Sequence, residues 1–175
     1  MKKVSMAGLI IVLFVICVVT SLLLGLVNEI TEDRIDEITA ENTRLAMQEV
    51  LQADSYDEVE YTGGDSQVTG VYKAGDAGYV VEVSVSGSQG MISMVVGVDT
   101  AGTVTGVSIV DMSETPGLGD KASEPEFRSQ FVGTTGDAAV DKDGGTIAAL
   151  TGATVTSRAV ANGVNAAVAA AATIG

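Results

Sequence analysis

The densest cluster of reactive groups in the chain is Leu150-Thr151-Gly152-Ala153-Thr154-Val155-Thr156-Ser157, where four hydroxyls surround a Gly-Ala pair. Val160, Val164, Ala167, Val168 and Ala171 follow at helical spacing, which puts the hydroxyls at a helix N-terminus. Unpaired N–H groups and the helix dipole favour a phosphate there. The simpler reading of the same residues is an N-cap, with Thr156 or Ser157 bonding the first turn. Upstream, Ser113-Glu114-Thr115-Pro116-Gly117-Leu118-Gly119-Asp120-Lys121 sets Pro-Gly in a tight turn, and its second glycine lets the backbone approach another group closely. Taken alone it is a loop.

Composition removes most other chemistries. The chain has no His, so a Ser-His-Asp triad and a His-ligated zinc are both excluded. Its single Cys17 cannot hold an iron–sulfur cluster, lies in an apolar run and reads as apolar filler. Any redox chemistry must therefore come from an organic cofactor.

The elements that must position these residues are legible from periodicity. EVEYT, VTGVYKA, GYVVEVSV, MISMVVGV and TVTGVSIV are short β-rich runs separated by Gly, Asp and Ser, and they predict an antiparallel meander. Turns at Gly87-Ser88-Gln89-Gly90 and Asp99-Thr100-Ala101-Gly102 join the last three. Val81, Val83 and Val85 alternate with Glu82 and Ser84, as in a sheet with one wet face. EPEFRSQFVG reads as a short helix with Phe127 and Phe131 on one face, packing into the core.

The first third is different. Val4 to Asn28 contains no charged residue, and roughly 20 apolar residues in helical rise cross a bilayer core. A cleaved signal peptide has a shorter apolar region and a small-residue site after it, so a retained anchor is the better reading. Lys2 and Lys3 precede the span and Glu29, Glu32 and Asp33 follow it, which predicts a cytoplasmic N-terminus and an extracytoplasmic body. Glu29 to Asp54 has a loose apolar stripe among charges and reads as a helical stalk. After the span stand 23 acidic residues against seven basic ones, a formal charge of −16, which argues against nucleic acid as a partner. The division expected is a tip and anchor at 1–28, a stalk at 29–55 and an extracytoplasmic domain at 56–175.

In the order anchor, strands, ETPGLGDK, Phe-containing segment and TGATVTS, the chain resembles the FMN-binding G subunit of Rnf-type electron-transport complexes, with the Nqr C subunit as near relative. The resemblance covers nearly the whole chain. It implies an α+β fold, with one transmembrane helix before an antiparallel-sheet FMN-binding domain with flanking helices. It also implies FMN joined through its phosphate to the threonine ending the S/T-G-A-T motif, here Thr154. A flavin transferase would install the group from FAD, with Thr151, Gly152, Ala153, Thr156 and Ser157 around the acceptor. Small neighbours at Gly152 and Ala153 leave room for that reaction. By the same resemblance, Glu114, Thr115, Leu118, Gly119 and Lys121 form the wall that meets the flavin, and Lys121 offsets the phosphate or a reduced flavin. The family motif usually carries an Asp three positions before the S/T. Ala148 stands there, and Asp141 and Asp143 lie too far upstream to match.

The implied role is electron transfer inside an inner-membrane complex that couples ferredoxin and NAD to ion translocation, with no independent catalysis and the other complex subunits as partners. Two alternatives stand beside it. One is an anchored, non-redox binding module; the other is a covalent-FMN subunit of an Nqr-type or different extracytoplasmic electron chain.

Overall fold

The structure is a computed structural model that describes residues 6–174; Lys2 and Lys3, which carry the orientation argument, lie outside the described residues. Two compact units divide the chain between Glu41 and Asn42. Helix α1, Met6–Val50, runs through that division. In the first unit its apolar side chains are exposed on every side, among them Leu9, Ile10, Phe14, Leu22 and Leu24. A helix apolar all round needs an apolar environment, and this one is long enough to cross a membrane. Thr20 and Thr31 satisfy their hydroxyls on the carbonyls of Ile16 and Val27, so they add no unpaired donor to that surface.

The second unit is built on five antiparallel strands in the order β1 to β5: Asp57–Glu58, Val68–Ala74, Gly78–Ser86, Met91–Asp99 and Val104–Met112. The meander has the predicted topology. At the β4–β5 turn, the Asp99 carboxylate accepts from the N–H groups of Ala101 and Thr103, and Gly102 supplies the positive φ. The first strand is shorter than EVEYT promised. After Glu58 only the Val59 N–H still reaches β2, at Val71 O, before the chain leaves the edge toward Gly63-Gly64.

A one-turn helix α2, Pro125–Arg128, passes into a 3₁₀ turn at Ser129–Phe131, and a long helix α3, Thr154–Ile174, closes the chain. The alternating Val81, Val83 and Val85, with Met94 and Val96, face α3 through Val160, Val164 and Ala167. Phe127 and Phe131 fill the end of that core edge to face, 5.4 Å apart. The opposite face is not uniformly wet. Val80 and Val95 are buried there with Ala46, Met47 and Val50 from the last turns of α1. The seat is made by Gly97 and Gly106, paired across β4 and β5, because a Cβ on Gly97 would lie 2.6 Å from Val50 O. Thr105 Oγ1 donates to the same carbonyl at 2.6 Å, and Glu49 accepts from Ser108 and Arg128.

Candidate functional site

The two hydroxyl- and glycine-rich segments, some 30 residues apart in the chain, meet at the start of α3. Thr156 Oγ1 donates to Glu114 Oε2 at 3.0 Å, and Thr156 is fully buried. Glu114 Oε1 accepts from the backbone N–H of Ser88 at 2.6 Å and of Gln89 at 3.3 Å. One carboxylate thus ties the β3–β4 turn, the loop after β5 and the first turn of α3 together. Gly119 is buried in the same contact: a Cβ there would lie 2.7 Å from Glu114 Oε2 and 3.1 Å from Thr156 Oγ1. Gly152 takes φ +80, and a Cβ on it would touch Leu118 Cδ2 at 3.1 Å, so the loop and the turn are in contact at a second point.

Neither hydroxyl offered as an N-cap serves as one. Thr156 is committed to Glu114, while Ser157 Oγ donates to Ala153 O and accepts from Leu150 N, both at 3.0 Å, closing the turn from inside. The first helical N–H bond is Ser157 N to Ala153 O, so Ala153 occupies the cap position and offers no side-chain acceptor. The N–H groups of Thr154, Val155 and Thr156 precede that bond and remain oriented along the helix start. Thr154 is half-buried, between exposed Gly152 and exposed Val155.

A cation completes the site, and sequence reading missed it. Lys142 Nζ donates to Thr154 Oγ1 at 2.9 Å. Lys142 sits on a 3₁₀ turn, Asp141–Asp143, that folds back beside α3 through the bridge of Val140 with Ile147. Asp141 Oδ1 braces that turn, accepting from the N–H groups of Lys142 and Ala149. Asp143 is turned to Arg158, one helical turn past Thr154, and accepts from Arg158 Nε at 2.6 Å and Nη2 at 2.5 Å. The hydrogen bond from Arg158, with its charge, holds the Asp143 carboxyl below its usual range and raises Arg158 in return. No spacing rule links position 142 to 154, so only the folded turn reveals the pair.

Lys121, in the 3₁₀ turn Gly119–Ser123, is exposed. It lines a groove of about 340 Å³ with Phe127, Gln130, Ala148, Leu150 and Thr151. Thr115 is exposed on its loop, where its carbonyl accepts from Leu118 and Gly119. Ala148 donates its N–H to Gln130 Oε1 at 2.7 Å. The N–H of the next residue, Ala149, donates to Asp141 Oδ1 at 3.2 Å.

The arrangement can hold a phosphate ester on Thr154: an accessible hydroxyl at a helix start with free N–H groups, no bulky neighbour before it and an ammonium at hydrogen-bond distance. Comparison with known proteins gives the family of the domain. The sequence profile of a family described as FMN-binding domain matches residues 87–169. The G subunit of the ion-translocating oxidoreductase complex of Methanosarcina acetivorans is 36% identical over 91% of this chain and 90% of its own. The G subunit of the Na(+)-translocating ferredoxin:NAD(+) oxidoreductase complex of Acetobacterium woodii is 34% identical over 94% of this chain and 89% of its own. The G subunit of the proton-translocating ferredoxin:NAD(+) oxidoreductase complex of Clostridium ljungdahlii is 47% identical over 51% of each chain. The crystal structure of the C subunit of Na(+)-translocating NADH-quinone reductase from Parabacteroides distasonis superposes with a TM-score of 0.57, covering 78% of this chain and 92% of that one at 21% identity.

Proposed function

Since this chain belongs to the family of G subunits of ion-translocating Rnf-type oxidoreductase complexes and carries their FMN-binding domain, we propose that it relays electrons through an FMN esterified by its phosphate to the Thr154 hydroxyl. The observation that carries the reading is the convergence on Thr154 of a helix start without a side-chain cap, a small-residue approach and the Lys142 ammonium. FMN bound there supplies reversible electron transfer, and a phosphate tether leaves its ring chemically unaltered.

The residues of the chain divide the remaining work. Thr154 is an acceptor and not a catalyst. Lys142 and the first-turn N–H groups offset the phosphate charge, which is a demanding task in a domain this acidic. Glu114, through Thr156, and Ser157, through Leu150 and Ala153, fix the turn that presents Thr154. Thr115, Leu118 and Lys121, on the loop beside Gly152 and along the adjoining groove, form the wall we assign to the ring.

We place α1 across the cell membrane, with the tip and anchor at 1–28, the stalk at 29–55 and the FMN domain at 56–175 on the extracytoplasmic side. Its apolar run, Met6 to Asn28, contains no Asp, Glu, Lys, Arg or His, so ion translocation belongs to the partner subunits. Loading requires a separate flavin transferase that uses FAD. The test is ultraviolet fluorescence of the denatured protein band after co-production with such a transferase. Wild type should fluoresce and Thr154→Ala should be dark; a dark wild type beside a fluorescent control flavoprotein would reject the reading.

A further inference from the structure

We infer that Lys142 is the positioning residue for loading Thr154: it holds the acceptor hydroxyl before the phosphate arrives and pairs with the phosphodiester afterwards. This rests on the reading of Thr154 as the FMN acceptor and extends it to a residue outside both motifs. Lys142 Nζ is 2.9 Å from Thr154 Oγ1, and among the described residues no other cationic side chain bonds that oxygen.

The surroundings are arranged so that this ammonium stays available. Lys142 lies between two aspartates, either of which would be its natural partner in a solvated turn. Both are occupied. Asp143 is engaged by both arms of the Arg158 guanidinium, and Asp141 accepts backbone N–H groups from its own turn and from Ala149. Arg158 stands on α3 four residues after Thr154, so the same helix that presents the acceptor removes the competing carboxylate from the lysine. The turn is tied to the segment before α3 by Asp141 N–H to Ile147 O at 2.7 Å, which fixes the distance that Lys142 has to span.

The chemistry explains why a cation is needed. Thr154 Oγ1 forms a bond to the flavin-side phosphorus of FAD, the phosphoanhydride P–O bond breaks, AMP leaves with the bridging oxygen, and the hydroxyl proton passes to the transferase. No oxidant or reductant enters. The incoming pyrophosphate is an anion approaching a chain of formal charge −14, and the ester product keeps one negative charge next to the same oxygen. An ammonium at hydrogen-bond distance favours the phosphate's approach and its final state alike.

The experiment is a time course of flavin incorporation into full-length protein in detergent, using purified transferase and FAD, read as in-gel fluorescence after denaturation. Wild type is compared with Lys142→Met, Lys142→Glu, Lys142→Arg and Thr154→Ser. Lys142→Met should load about tenfold more slowly, the low end of the contribution of a hydrogen bond to a charged group at an exposed site. Lys142→Glu should be slower still, and Lys142→Arg should recover most of the rate, which a purely steric role for the side chain would not produce. Thr154→Ser should load, and unfolding midpoints should match wild type because Lys142 is exposed. Wild-type rates in both Lys142→Met and Lys142→Glu, with wild type itself labelled, would overturn this inference and leave the acceptor assignment standing. No label in wild type or Thr154→Ser would overturn both.

Discussion

Glu114 is where the account is most exposed to a stability measurement. Replacing it with Ala removes the acceptor for two backbone N–H groups at the β3–β4 turn and for the Thr156 hydroxyl. The two N–H groups are near solvent and regain water, so their loss costs little. Thr156 is fully buried, and an unsatisfied buried hydroxyl costs about 1–3 kcal/mol. With the charge-assisted character of the bond, Glu114→Ala should destabilise the sheet unit by about 2–3 kcal/mol. Glu114→Gln keeps one acceptor oxygen and offers N–H to a rotated Thr156 hydroxyl, so about 1 kcal/mol is expected. The four tyrosines, at 56, 61, 72 and 79, all lie in this unit and there is no Trp. Urea unfolding followed by tyrosine fluorescence therefore reports the unit without interference from α1's apolar run. A double-mutant cycle with Thr156→Val should return a coupling of about 1 kcal/mol. If Glu114→Ala lies within about 0.5 kcal/mol of wild type, or the two changes add, the carboxylate is not the joint between the motifs.

Two further outcomes follow from the same contacts. Gly106→Val drives a branched side chain into Val50, whose Cα is 3.0 Å from the position of a Cβ there. It should cost about 1–3 kcal/mol by overpacking and speed proteolysis near Leu51; unchanged stability and cleavage would mean that α1 does not seat on the paired glycines. Burial works against ionisation of Glu49, but hydrogen bonds from Ser108 and Arg128 and the charge of Arg128 prevail and lower its pKa. A lowered folded pKa contributes stability that is present above the unfolded value, about 4.3, and lost as pH falls through the folded one. Glu49 is half exposed, so the loss is at most about 1 kcal/mol relative to Glu49→Gln between about pH 5 and 3; parallel pH profiles of the two proteins would refute it.

The meander and both long helices were legible because each rests on local signals, the alternation of Val81, Val83 and Val85 and the helical spacing from Val160 to Ala171. Placing the glycine loop opposite the hydroxyl-rich helix start rested instead on the family resemblance and not on spacing. What remained hidden depends on chain reversal. Lys142 reaches Thr154 only because the turn Asp141–Asp143 folds against the segment before α3, and Asp141 reaches Ala149 by the same reversal. The hydroxyls of Thr156 and Ser157 have the composition of a cap, yet tertiary partners claim them. The covered patch on the sheet's second face was invisible for a related reason: Gly97 and Gly106 become a seat only once the register pairs them.

The central claim is that the flavin is esterified to Thr154 and to no other hydroxyl, and peptide mass spectrometry addresses it residue by residue. Trypsin releases Asp143 to Arg158 as one peptide, which contains Thr146, Thr151, Thr154, Thr156 and Ser157. From protein matured with FAD and transferase, fragmentation should place one FMN less one water on Thr154. An unmodified peptide from protein that holds flavin, or the adduct on any of the other four residues, would contradict the account.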